Sequence, residues 1–151
     1  MFIAAAGPAS NFIMAALFGV PFRLLYAYAS TRHFEANTTL DRMLFFLLFL
    51  CAWCVLINII LGLFNLIPIF PLDGEKIVIG LLPYQQANSY MKLRQYGPML
   101  LIFLIFLGFQ YGLLGSYFFL MGSPFAWLFS GQTMGGINEA WVRVFYALWY
   151  Q

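Results

Sequence analysis

The segment NLIPIFPLDG, residues 65–74, places two prolines and an aspartate directly after one of the most apolar runs of the chain. Pro68 and Pro71 each remove a backbone donor and disfavour helix at the residue before them. Irregular backbone in so apolar a stretch must be buried in protein or line a wet cavity. Asp73 is then a carboxylate near the membrane interior, where it needs a cation or a metal as partner. Physics alone leaves a second interpretation equally open, in which Asp73 is a plain helix N-cap at headgroup level.

The composition is that of an integral membrane protein. The 151 residues are 64% hydrophobic, 21% aromatic and 8% charged, whereas roughly a quarter of the residues in soluble domains are charged. The length allows about three or four spans of ~20 residues each plus connections, so we do not expect a separate soluble domain. The net charge of +2 is dispersed, which argues against nucleic-acid binding. Cys51 and Cys54 are expected to be buried structural thiols.

Three long apolar runs account for most of the chain. The first is expected to form a helix from Pro8, in its first turn, toward Tyr28, with Arg23 reaching the far interface. The second, residues 43–64, would cross the hydrocarbon core as a helix of about 33 Å. The third covers residues 97–121. The predicted fold is therefore an all-α membrane protein with about three transmembrane helices, a broken Pro-rich segment and interfacial helices.

Two regions outside these spans favour the membrane interface. Residues 84–96 place apolar side chains on one helical face and polar side chains on the other. Residues 123–151 are rich in aromatic side chains, which is typical of an interface belt. We therefore divide the chain into a membrane module, residues 1–122, and an aromatic interfacial tail, residues 123–151.

Small and polar residues recur along single faces of the predicted spans and indicate where helices pack on protein rather than on lipid. The stripes are Gly7, Asn11, Ala15 and Gly19 on the first span, Cys51, Cys54, Asn58, Gly62 and Asn65 on the second, and Gly108, Gly112 and Gly115 on the third. Packing alone accounts for most of them. The amides of Asn58 and Asn65, one heptad apart, are expected to point into one interior and to need partners there.

The opening segment resembles the third-ligand motif of the site-2 protease family of intramembrane zinc metalloproteases. That motif has the pattern N-x-x-P-x-x-P-x-D-G, and its fixed positions are matched at Asn65, Pro68, Pro71, Asp73 and Gly74. Few unrelated sequences would match all five positions.

A second family element supports the resemblance. The family pattern A-G-P-x-x-N appears here as AGPASN, residues 6–11, with Gly7, Pro8 and Asn11 at its defining positions. The order and separation of the two elements also fit the family, and the likeness covers roughly residues 1–120.

The resemblance implies a zinc ion held by two histidines of an H-E-x-x-H helix and by the aspartate matching Asp73. This sequence contains no H-E-x-x-H, and its single histidine, His33, lies before the second span whereas Asp73 follows it. A crossing of about 30 Å separates the two, so they cannot share a metal. Asp73 is therefore a metal-ligand candidate without a catalytic residue beside it, since catalytic zinc takes about three protein ligands.

Family members carry the missing helix ahead of the A-G-P-x-x-N element, and only six residues precede Gly7 here. We therefore expect Met1 to be an internal position and the chain to be the C-terminal part of a site-2-type protease.

The resemblance implies part of a zinc endopeptidase that cleaves transmembrane segments of other proteins during regulated intramembrane proteolysis. Such a protein is expected to be multi-pass in the plasma membrane, with Asn65 and the backbone near Pro68 and Pro71 positioning an unwound substrate strand. This chain alone is expected to be inactive. Two alternatives stay open: a non-catalytic pseudoprotease or membrane scaffold, and a transporter subunit whose broken helices line an ion path. No sequence feature indicates an oligomeric state.

Overall fold

The computed structural model describes residues 2–31 and 39–149, so the expectation for His33 lies outside the described residues. Over these ranges the secondary structure is helical, which confirms the predicted all-α class. Seven α-helices and one 3-10 helix follow each other along the described chain. They are α1 Phe2–Ser30, α2 Thr39–Asn65, α3 Asp73–Leu81, α4 Tyr84–Met91, the 3-10 helix Lys92–Tyr96, α5 Gly97–Tyr111, α6 Leu113–Ser130 and α7 Met134–Trp149.

The chain is a multi-pass membrane protein. In the described residues, four helical stretches are long and apolar enough to cross a membrane: Phe2–Ser30, Thr39–Asn65, Tyr84–Tyr111 and Leu113–Ser130. The sequence predicted about three because residues 97–121 look like one continuous span. The predicted interfacial stretch, residues 84–96, is helical and leads directly into α5; its depth in the membrane stays a prediction.

The third apolar run is divided at Gly112. This residue has a φ of 67° and ends α5 where α6 begins. The left-handed conformation is favourable for glycine because it has no Cβ, and it breaks the helix. The expectation that Gly108, Gly112 and Gly115 share one helical face was therefore wrong. Helix α6 then continues to Ser130, so it passes through the boundary predicted between residues 122 and 123.

Helix α1 begins earlier than expected. It starts at Phe2, so Pro8 lies inside the helix and not in its first turn. Proline is tolerated inside membrane helices because neighbouring helices and hydroxyl side chains satisfy the freed backbone groups. The carbonyl that loses its donor is that of Ala4, four residues before Pro8. Next to the proline, the Ser10 hydroxyl donates a hydrogen bond to the Gly7 carbonyl over 2.7 Å.

Helix α2 forms the centre of the molecule. It packs against α1, α6 and α7, and the core lies between these four helices. The core side chains are almost all aliphatic, small or aromatic: Ala15, Phe22, Leu48, Cys51, Ala52, Val55, Leu56, Ile59, Leu63, Ala126, Ile137 and Ala140. Cys51 is buried, as expected for a structural thiol, whereas Cys54 is only half-buried, so the expectation that both are buried was right for Cys51 alone. Large apolar side chains on the outer faces of α1, α2 and α5 are exposed, as expected for surfaces that meet lipid.

Arg23 joins α1 to the end of α6. Its Nη2 donates hydrogen bonds to the carbonyls of Trp127 and Leu128, over 3.0 and 2.7 Å. The last carbonyls of a helix have no partner within that helix, and a cation there also interacts well with the helix dipole. Arg23 therefore caps the C-terminus of α6, and its expected position at the far interface stays a prediction.

Candidate functional site

The predicted broken segment is present between α2 and α3. Helix α2 ends at Asn65, and residues 66–72 follow as turns. These turns satisfy part of the backbone internally, with hydrogen bonds from Leu66 N–H to Leu63 O and from Leu72 N–H to Ile69 O, over 3.2 and 2.8 Å. The Tyr90 hydroxyl donates a further hydrogen bond to the Pro68 carbonyl. The peptide bond between Phe70 and Pro71 is cis.

Asp73 is the first residue of α3. Leu72 precedes it in an extended conformation, so Asp73 does not occupy the N-cap position that the sequence left open. A carboxylate in the first helical turn interacts favourably with the helix dipole. Lys76, one turn later, places its Nζ 2.9 Å from Asp73 Oδ1. The Lys76 side chain is half-exposed, and the Asp73 side chain is 30% exposed. Lys76 of the same helix therefore supplies a cation as partner of the Asp73 carboxylate.

The second oxygen of Asp73 lies against α1. A Cβ built at Gly7 would come within 2.7 Å of Asp73 Oδ2 and 3.6 Å of Asp73 Cγ, and α1 and α3 pack together. The two sequence elements, far apart in the chain, thus meet at one point. A side chain at position 7 would require the Asp73 carboxylate to shift from this position.

Gly74 fixes α3 against the end of α2. A Cβ at this position would lie 2.4 Å from both the Leu66 and the Ile67 carbonyl oxygens. Gly74 is buried. On α1, Pro8 is buried beside Gly7, and Asn11 is half-buried one turn further along. Of these three residues of the first element, Gly7 is the one that meets α3 at Asp73.

The remaining predicted residues lie at and beyond the end of α2. The Asn58 amide donates one hydrogen bond, to Cys54 O in its own helix over 2.8 Å, so one of its groups finds a partner without a second helix. Asn65 is half-buried at the last position of α2, and Pro68 and Pro71 are exposed. A role for these residues toward a substrate stays a prediction.

Sequence reasoning missed three residues that shape this region. Lys76 could have been found, because Asp73 and Lys76 have the three-residue spacing of a helical ion pair. No local spacing predicts the pairing of Glu75 with Arg94, because the two residues are far apart in the sequence. Glu75 is buried and forms an ion pair with Arg94 across 3.3 Å, and the Arg94 guanidinium lies over the Phe70 ring at 4.7 Å from its centroid.

The described residues around Asp73 do not by themselves provide the ligands of a catalytic zinc ion. Catalytic zinc sites use about three protein ligands and an open position. In the part of the chain that the structure describes, no group of three or more His, Cys, Asp or Glu side chains lies close enough to hold a metal. Asp73 has Lys76 and Gly7 as neighbours.

Comparison with known proteins identifies the family. Residues 1–108 match Peptidase family M50, and this region contains both sequence elements and the Asp73–Gly7 contact. The chain therefore belongs to Peptidase family M50, the site-2 protease family, which confirms the resemblance.

A curated relative is similar along most of the chain. The chain is 33% identical over 115 residues to the Bacillus subtilis (strain 168) protein named "Putative zinc metalloprotease YwhC". The alignment covers 76% of this chain and 47% of the relative, so the chain spans about half the length of that protein. No solved structure matches the chain.

Proposed function

We propose that this chain forms the aspartate side of the active site of an intramembrane zinc metalloendopeptidase. In this proposal Asp73 is one metal ligand, and the two histidines and the catalytic glutamate come from an H-E-x-x-H helix outside these 151 residues. The observation that supports it is the contact between Asp73 and Gly7. It brings the two family elements together and holds a carboxylate in one position.

The surroundings of Asp73 suit a ligand that is positioned in advance. Lys76 engages Oδ1, Gly7 leaves room for Oδ2, and Gly74 seats the start of α3 on the carbonyls of Leu66 and Ile67. A ligand whose orientation is fixed by its neighbours loses little freedom when it binds a metal. This chain then contributes a preformed carboxylate rather than a complete catalytic group.

The proposed substrate is a transmembrane segment of another protein, and the proposed location is the plasma membrane. A helix must unwind before its peptide bonds become accessible, because its backbone groups are bonded to each other. The irregular residues 66–72, with Pro68 and Pro71 exposed, lie directly before Asp73 and are suited to guide such an unwound strand.

The test is zinc content after the missing helix is supplied. A family helix with H-E-x-x-H is joined ahead of the chain, and bound zinc is measured by mass spectrometry for the joined protein, its Asp73→Asn variant and a control, Glu139→Gln, on an exposed residue of α7. We expect about one zinc per joined protein, at least tenfold weaker binding in Asp73→Asn, and no change in the control. In the chain without the helix, zinc content should be the same with and without Asp73→Asn.

Several results would contradict the proposal. If the joined protein and its Asp73→Asn variant bind the same amount of zinc, Asp73 is not a metal ligand. Zinc binding through Asp73 without cleavage of any reconstituted transmembrane substrate would favour the pseudoprotease, and Asp73-dependent ion flux in liposomes would favour the transporter.

A further inference from the structure

We infer that a second site, next to Asp73 but distinct from it, binds a backbone amide of an extended peptide. The inference rests on the proposed function, because the peptide would be the unwound substrate strand. The site is a cavity of about 180 Å³ between the broken segment, α3 and the 3-10 helix. Its wall includes Pro68, Phe70, Glu75, Tyr90, Leu93 and Arg94.

Glu75 belongs to the wall of this cavity and carries a buried carboxylate. Its side chain is 3% exposed, and both carboxylate oxygens are buried without a hydrogen bond to any described residue. The contact of 3.3 Å between Arg94 Nε and Oε1 is an ion pair without hydrogen-bond geometry. Buried carboxylates are nearly always hydrogen-bonded, so this one indicates a ligand that donates.

Arg94 supplies donors beside that acceptor. Its guanidinium carries five N–H groups in a fixed plane, and its side chain lines the cavity and is 47% exposed. The plane rests on the Phe70 ring. The Tyr90 hydroxyl is already engaged with the Pro68 carbonyl. The cavity therefore has one acceptor and one set of donors, and most of the remaining wall is apolar.

Charge balance selects a neutral ligand. Glu75 and Arg94 compensate each other, so an amine or an anion entering the cavity would leave one charge without a partner in a poorly solvated place. An amide is neutral, and it donates through N–H and accepts through C=O. It would donate to Glu75 and accept from Arg94, and apolar side chains on either side of it would contact Phe70 and Leu93.

The location also favours a peptide. Glu75 and Asp73 are two residues apart on α3, but Asp73 contacts α1 while Glu75 faces the 3-10 helix. A strand held at the cavity would therefore pass close to Asp73 at a spacing of a few extended residues, each about 3.3 Å long. The cavity is suited to hold one part of a substrate strand while another part of the same strand lies at the proposed metal site.

The test uses the full chain in phosphatidylcholine nanodiscs and two fluorescent peptides. One is an acetylated apolar hexapeptide amide, and the other is the same peptide with its backbone nitrogens methylated, which removes the donors. We expect the wild-type chain to bind the first peptide at least tenfold more tightly than the second, because the methylated peptide cannot donate to Glu75.

A double variant, Glu75→Leu with Arg94→Met, tests the assigned residues. Apolar replacements of similar volume for a buried ion pair are often well tolerated, so this variant should fold and lose the preference between the peptides. Glu139→Gln is the matched control and should keep the preference. If the double variant does not fold, Leu93→Trp serves in its place, because a larger side chain at the exposed rim narrows the cavity and should also reduce the preference.

Three outcomes would overturn the inference: equal binding of the two peptides by the wild-type chain, an unchanged preference in the folded variants, or competition by phosphatidylethanolamine, which would identify an amine ligand. Neither zinc nor cleavage enters this measurement. Peptide preference without Asp73-dependent zinc would therefore contradict only the proposed function, and the reverse result would contradict only this site.

Discussion

The helical core and the segment of residues 66–96 are stabilised in different ways. In the core formed by α1, α2, α6 and α7, the fully buried side chains are apolar, such as Phe22, Val55 and Ile59. In residues 66–96 few side chains are buried, and one of them is the acid Glu75. Ion pairs, one tyrosine hydrogen bond and close backbone contacts position the elements there. The core depends on packed volume, whereas the site depends on a few individual contacts.

Gly74→Ala should give the largest effect among the substitutions that test this comparison. The new methyl group would lie 2.4 Å from two backbone oxygens, and backbone cannot move aside as a flexible side chain can. We expect a loss of about 3 kcal/mol or more in unfolding free energy, at the upper end for overpacking. Denaturant unfolding in detergent micelles measures it.

Gly115→Ala is the matched control for Gly74→Ala. Nothing lies within 4 Å of a Cβ at position 115 on α6, and alanine favours helix over glycine by roughly 0.5–1 kcal/mol. This variant should be as stable as the wild type or slightly more stable. Equal losses in the two variants would mean that α3 is not seated on the carbonyls of Leu66 and Ile67.

Arg23→Met should lower the free energy of unfolding by less than Gly74→Ala does, and it should affect only the helical core. The substitution removes two charge-assisted hydrogen bonds to the C-terminal carbonyls of α6, but the side chain is exposed and the carbonyls can recruit other donors. We expect the free energy of unfolding to fall by about 1–2 kcal/mol. Thermal unfolding and the amide exchange of residues 127–131 measure it.

Arg23→Lys sharpens the same prediction, because it keeps the charge at the end of α6 with a different donor geometry and should recover part of the loss. Amide exchange in residues 73–81 should not change in either variant. Faster exchange there would show that the helical core and the segment of residues 66–96 are not stabilised independently of each other.

The sequence was sufficient for the fold class and for the broken segment. Length of apolar runs predicts helices, and two prolines before an acid predict irregular backbone. It was not sufficient for the break at Gly112, because glycine is common in membrane helices and its φ cannot be read from an apolar run. The partner of Arg23 was also out of reach, since Trp127 lies more than a hundred positions away and offers only its backbone carbonyl.

The residues of the candidate site also fall into those that the sequence could predict and those that it could not. Asp73 and Gly7 were found separately through their motifs, and Lys76 was readable from its helical spacing. The contact between Asp73 and Gly7 depends on how α1 packs against α3, which no local pattern encodes. Glu75 and Arg94 were missed because their pairing depends on the direction in which the broken segment leads the chain.

Cysteine cross-linking of positions 7 and 73 tests the central claim most directly. A Cβ at Gly7 would lie 3.6 Å from Asp73 Cγ, which is close to where a cysteine sulfur at position 73 would stand, so we expect a disulfide to form after a small shift of the side chains. The pair Gly7→Cys with Asp73→Cys is made in a background with Cys51→Ala and Cys54→Ala, and the control pair is Ala6→Cys with Asp73→Cys, since Ala6 is exposed beside Gly7. Under mild oxidation in membranes, we expect the first pair to cross-link nearly completely and at least tenfold faster than the control. Equal rates, or a faster control, would contradict the convergence of the two elements at Asp73.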